Sequence, residues 1–177
     1  MPEMVLRRPA AKQYAWLMAL VLVLPLVLTC AALYSVHEDT RRVPVLLGST
    51  GIVVLVAGVL AAAVRRQRAS FDGRALRIQS SFYNVTLRIA DLASGIEVLD
   101  AGVPAARRLA LRTNGVAFPG YRSGWFRSRE GQKLFAAVID QPNLYIPTKQ
   151  SFGLVLSVEN PALVKDELSK ALAVERS

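Results

Sequence analysis

Residues 14–34, YAWLMALVLVLPLVLTCAALY, contain no formal charge, and neither do residues 43–64, VPVLLGSTGIVVLVAGVLAAAV. At about 1.5 Å of rise per residue either run makes a helix of roughly 32 Å, close to the thickness of a bilayer's hydrocarbon core. Between them lies a short turn, SVHEDTRR, over 35–42. The pattern predicts an α-helical transmembrane hairpin with spans at 14–34 and 43–64. After Val64 the apolar residues alternate with polar ones. The chain therefore divides into a basic flank (1–13), the hairpin (14–64), a basic juxtamembrane linker (65–69) and a strand-rich domain (70–177).

The flank carries Arg7, Arg8 and Lys12 against Glu3. A positive start before an apolar run also describes a secretory signal peptide. The length of the run, the interfacial aromatics Tyr14 and Trp16, and the second run that follows favour an uncleaved helix. Cys30 is the single cysteine, so no disulfide framework exists. Pro25 predicts a mild kink, which a membrane helix tolerates. His37, Glu38 and Asp39 could be imagined as metal ligands, but a solvated turn explains them better.

Gly48, Gly51, Gly58 and Ala62 form a stripe of small residues on the second span, and Ala57-x-x-x-Ala61 repeats the spacing. Such stripes let helix backbones approach closely, most simply against the first span. Neither span holds an Asp, Glu, Lys, Arg or His, which speaks against a channel or transporter. Basic residues flank the outer ends of both spans, with Arg65, Arg66 and Arg68 following the second as a juxtamembrane anchor. Arg41 and Arg42 lie in the turn. The asymmetry places both termini in the cytoplasm.

In the domain, Tyr83, Val85, Leu87 and Ile89 alternate with Asn84, Thr86 and Arg88, the signature of a half-buried strand. Leu76 and Ile78 mark its hairpin partner, with a turn over Gln79–Phe82. Ile96 and Val98, Leu109 and Leu111, Gly115–Pro119, Lys133–Asp140, Asn143–Ile146 and Gly153–Ser157 supply the rest. About seven short antiparallel strands predict a sandwich or barrel. Asn114-Gly115 and Pro119-Gly120 read as tight turns. Asn160-Pro161 starts a helix whose stripe is Leu163, Val164, Leu168, Ala171 and Leu172, placed to cap the barrel.

The stretch 112–140, RTNGVAFPGYRSGWFRSREGQKLFAAVID, resembles the bacterial pleckstrin-homology domains found behind short membrane hairpins. Asn114-Gly115, Pro119-Gly120-Tyr121, Gly124-Trp125-Phe126 and Gly131 before an apolar strand carry the likeness. It continues through Leu154-Val155-Leu156-Ser157 and Asn160-Pro161, covering about Ser70 to Val174. The resemblance implies a seven-stranded bent barrel closed by the C-terminal helix, and implies little about activity.

The chain carries a formal net charge of +9. Arg107, Arg108, Arg112, Arg122, Arg127, Arg129 and Lys133, with Trp125 among them, form a candidate basic face for an anionic lipid surface or a protein partner. Each cation near an anionic leaflet is worth about 1 kcal/mol. The domain has no histidine and no cysteine, which removes the usual general base and thiol nucleophile. Asp91, Asp100 and Asp140 show no paired spacing. No cofactor or metal is implied, and the two spans make nucleic acid an improbable partner. The reading is a non-catalytic binding or scaffold module anchored in a bacterial inner membrane. Its alternative is a small accessory subunit of a larger membrane complex, which exposure of the glycine stripe would favour.

Overall fold

A computed structural model of the chain describes residues 4–7, 9–35, 39–99, 107–139 and 142–175. Helix α1 (Ala11–Met18) runs through a π-helical stretch, Ala19–Val23, into α2 (Leu24–Ser35). Pro25 has no N–H to offer the preceding turn, and the wider turn lies immediately before it. Helix α3 (Asp39–Arg65) returns. Asp39 to Arg42, expected in the turn, therefore belong to α3, while His37 and Glu38 lie outside the described residues.

Two stretches, Ala11–Ala31 and Gly48–Arg65, are long and apolar enough to cross a membrane. Only 13% and 17% of them are buried within the fold. A soluble core helix hides its apolar surface, whereas Leu26, Ile52 and Leu55 here are 59%, 65% and 67% exposed.

Strand β1 (Gln67–Phe71) begins two residues after α3 ends, so residues 65–69 are a helix end and a strand start where a linker was expected. With β2 (Ala75–Ser80) and β3 (Tyr83–Arg88) it forms an antiparallel three-stranded sheet. Leu76, Ile78, Val85 and Leu87 point inward and Arg77, Thr86 and Arg88 outward, as the period of two requires.

The second sheet holds six strands: β4 (Glu97–Leu99), β5 (Leu109–Phe118), β6 (Tyr121–Ser128), β7 (Lys133–Ile139), β8 (Asn143–Ile146) and β9 (Phe152–Leu156). Their order is β4-β8-β9-β7-β6-β5. The expectation of about seven antiparallel strands is corrected in three ways. Leu109–Leu111 and Gly115–Phe118 are one strand, β7 pairs with β9 in parallel, and among the described residues neither sheet closes into a barrel. The parallel pair arises because the β8–β9 hairpin returns its second strand against β7. The Ser157 hydroxyl fixes that crossing, accepting the Ile139 N–H (2.7 Å) and donating to Asn143 Oδ1 (2.5 Å).

β5 and β6 form a strongly curled ladder. Arg122 Nη1 donates to the carbonyl of Leu109, whose partner in the ladder is Ser128. Six residues of straight strand separate Arg122 from Ser128, about 20 Å, well beyond an arginine's reach. Two register shifts in β5, at Leu109/Leu111 and Arg112/Asn114, supply the bend. Gly115 and Gly124 face each other across it. Gly115, expected in a tight turn, is mid-strand, and its missing side chain admits the Ser123 carbonyl. Pro119-Gly120 does form the turn between β5 and β6, with Gly120 at φ +75°, the value a type II turn needs.

The inner faces of the sheets meet in a core containing Leu76, Ile78, Leu87, Phe135, Ile146, Leu154 and Leu156. Helix α4 (Pro161–Glu175) adds Val164, Leu168 and Leu172, a four-residue repeat on one face. Leu163, expected in that stripe, is 49% exposed. The N-terminal flank also joins this core. Leu6 bridges Val158 in antiparallel register, the Arg7 N–H donates to Ser157 O (3.0 Å) and the Glu159 N–H to Val5 O (3.1 Å). Met4 and Leu6 are buried in the core. Both ends of the helical hairpin are thus fastened to one domain. The N-terminal strap and the domain consequently share a side of any membrane that the two helices cross.

Candidate binding site at the foot of the hairpin

Where the strap, both long helices and β1 converge, a cavity of about 850 Å³ opens. The strap supplies an apolar wall of Met4, Val5, Leu6 and Pro9. Tyr14 comes from α1, Arg65 from the end of α3, and Gln67 to Ser70 from β1. The Arg65 guanidinium lies 5.8 Å from the centre of the Tyr14 ring, a cation–π contact that bridges the two helices. Alternation along β1 turns Gln67 and Ala69 inward and leaves Arg68 and Ser70 exposed.

Gln67 continues into a buried polar strip between the sheets. Its Nε2 donates to Tyr121 Oη (2.9 Å), which is also hydrogen-bonded to Ser81 Oγ (2.5 Å), and the Ser80 and Ser123 hydroxyls pair at 2.8 Å. Gln67 Oε1 has no hydrogen-bond partner among the described residues. Reversing the amide would only exchange which of its atoms is left unpaired. Two arginines and an apolar strap line this cavity at the end of a candidate span, a residue set that suits an amphiphile with an anionic head.

The basic residues of the β domain do not assemble into one face. Arg107 pairs with Glu97 (2.7 Å) and lies 4.6 Å from the Tyr145 ring centre. Arg122 and Arg127, five residues apart on β6, fall on opposite faces of that strand. Arg127 donates to Gly131 O (3.3 Å), and Lys133 Nζ sits 4.4 Å from the Trp125 ring centre. Trp125 itself packs edge-on against Phe135 and Phe152, at 5.2 and 5.0 Å, and is half-buried. Arg108 and Arg112 are exposed at β5 and Arg129 in the β6–β7 turn. Arg127, Arg129 and Lys133 therefore stand at the end of the ladder opposite the Pro119-Gly120 turn.

That turn packs on the helices. Leu17, Val21, Ala57 and Val64 are buried with Tyr121 and Ile139, and Val116 and Phe118 close around them. The α3 surface used here is Ala57, Leu60, Ala61 and Val64, the second of the two small-residue spacings. The Gly48, Gly51, Gly58 and Ala62 stripe, expected against the first span, is exposed instead. A side chain added at any of its three glycines would meet no atom within 4 Å among the described residues.

Asp91 is held by Arg88 (3.3 Å), while Asp100 and Asp140 lie outside the described residues. Among the described residues no three His, Cys, Asp or Glu side chains cluster as a metal site. The strap residues and Gln67 are the site members that alternation does not reveal. The apolar triplet Met4-Val5-Leu6 inside a basic flank is their one signal. Comparison with protein-family models, with curated proteins and with solved structures returned no match.

Proposed function

We propose that the chain is a membrane-anchored, non-catalytic binding module of a bacterial inner membrane. Its termini and β domain lie in the cytoplasm, and the cavity at the hairpin's foot takes the anionic headgroup of a membrane lipid. The observation that carries this reading is the convergence of Arg65 and Arg68 with the apolar strap at the end of a candidate span. Arg7, Lys12, Arg65, Arg66 and Arg68 at the domain-side ends of the helices support the cytoplasmic side by the positive-inside rule. Two sheets with a C-terminal helix packed on them favour a pleckstrin-homology-like domain, from which the parallel β7/β9 pair departs.

The test uses the full chain in detergent and short-chain phosphatidylglycerol against phosphatidylcholine. The anionic lipid should bind more tightly. Neutralising Arg65→Gln and Arg68→Gln together removes about 2 kcal/mol, about a 30-fold loss of that preference. An unchanged preference in the double variant refutes the site. A second reading, an accessory subunit of a larger membrane complex, rests on the exposed glycine stripe. It requires Gly58→Leu to release a co-purifying membrane partner while leaving the hairpin folded.

A further inference from the structure

Two strand turns at the helical end of the domain have apolar tips. β2 and β3 are joined by Ser81-Phe82, and Phe82 is 56% exposed. Ser81 holds φ +51°, a conformation uncommon outside glycine. It is kept there by two hydrogen bonds. Its N–H donates to Arg66 O (3.1 Å) and its hydroxyl bonds to Tyr121 Oη. Arg66 directly follows the last residue of α3, so the turn is pinned at the level where the candidate span ends.

The β5–β6 turn reaches further. Its Phe118 and Tyr121 rings stack at 4.7 Å, and Tyr121 shares a buried cluster with Ala57. Ala57 lies eight residues before Arg65, about 12 Å along the helix. The same cluster holds Val64 at the helix foot and Leu17 and Val21 of the first helix, so this turn packs against the domain-side part of both candidate spans. Residues 116–121, VAFPGY, carry no charge, and Arg122 is the first cation after them. Arg65, Arg66 and Arg68 stand exposed at the foot of the same helix. Aromatic tips above a collar of cations, continuous with an apolar span, match the composition of a membrane–water interface.

We propose that both turns are seated in the bilayer that holds the chain's own helices. Phe82 lies in the headgroup layer, and Phe118-Pro119-Gly120 at the boundary with the acyl chains. Deeper burial is excluded by the turn's free carbonyls, which hydrocarbon cannot satisfy. The inference rests on the reading that the hairpin spans a membrane, and it concerns the domain's surface, not the cavity.

Spin labels test it on the full chain in phosphatidylcholine/phosphatidylglycerol vesicles, with Cys30→Ala removing the native thiol. Single labels go at Ile52→Cys, Phe82→Cys, Ala117→Cys and Glu130→Cys, all exposed positions whose packing a label spares. Collision with oxygen and with an aqueous nickel chelate reads depth. Ile52 is the span standard and Glu130, in the β6–β7 turn, the aqueous one. Phe82 and Ala117 should lose nickel collisions relative to Glu130 and gain oxygen collisions. If Ile52 is deep while either turn is as open to nickel as Glu130, the seating is overturned. If Ile52 is as open as Glu130, the spanning reading falls and takes this inference with it.

Discussion

Replacing Gly124 by alanine should be among the most damaging single-methyl additions available in the domain. Gly124 has φ +114°, where a β-carbon is strained by about 1–3 kcal/mol. The new carbon would also stand 2.5 Å from Asn114 O and 2.7 Å from Gly115 Cα. Both are backbone atoms, so no side chain can swing away. The β5–β6 ladder must open at its bend, losing at least one hydrogen bond worth about 1 kcal/mol net. The total is about 2–4 kcal/mol, a large share of the roughly 5–15 kcal/mol of a typical domain. Gly131→Ala is the matched control. Gly131 has φ +83°, but a β-carbon there meets nothing within 4 Å among the described residues, so it incurs only the backbone strain. Denaturant unfolding of the full chain in detergent, followed by Trp125 fluorescence in a Trp16→Phe background, compares the two. Equal destabilisation by both variants would refute the close-approach argument.

Other outcomes follow from the packing. Tyr121→Phe removes the hydroxyl shared by Gln67 and Ser81 and should cost about 1–3 kcal/mol in the same unfolding assay, because both partners stay buried. Leu6→Ala should lower stability by about 2 kcal/mol, the low end for a buried leucine because the strap can lift away. Hydrogen exchange at the Arg7 and Glu159 amides should accelerate with it, and unchanged protection there would contradict a detachable strap. Asp72 Oδ1 accepts the N–H groups of Ala75 (2.7 Å) and Arg74 (2.9 Å), which with Arg77 hold its carboxyl below the ordinary carboxylate range. A depressed folded-state value gives stability that is complete at neutral pH and is lost as acidification passes through it. Asp72→Asn should flatten the acid limb of the thermal-stability profile, and an acid limb parallel to the native one would count against this.

The hairpin was legible because charge is absent from two runs of helical length, and burying a charge in hydrocarbon is costly. Helix α4 was legible from Asn160-Pro161 and its four-residue repeat. Alternation located Val85 and Leu87 correctly, since a strand with one wet face records its own register. It could not say that β9 pairs with β7, because pairing partners leave no mark on a single strand's period. The spacing of Gly48, Gly51 and Gly58 showed a surface able to pack closely, but not that Ala57 and Ala61 would be the residues to pack. The basic residues from Arg107 to Lys133 are neighbours in sequence, yet strand alternation and a curled ladder disperse them. Arg65 and Arg68 were legible as basic residues following the second apolar run, and their cavity was not, because its opposite wall comes from Met4, Val5, Leu6 and Pro9.

The strap sets an order on how the protein is made. Residues 4–7 precede their partner Val158 by about 150 residues of chain. At ordinary translation speeds of about 5–20 residues per second, the strap waits about 8–30 s for its partner. During that time Met4 and Leu6 lack the β-domain core that buries them in the finished fold. Docking the strap is then a closing step, available only once the chain through Val158 has been made. Cutting the chain anywhere in the first helix, as processing of a signal sequence would, removes two side chains from the core. A bulky tag fused directly before Met4 should hinder the same step more than one placed after α4.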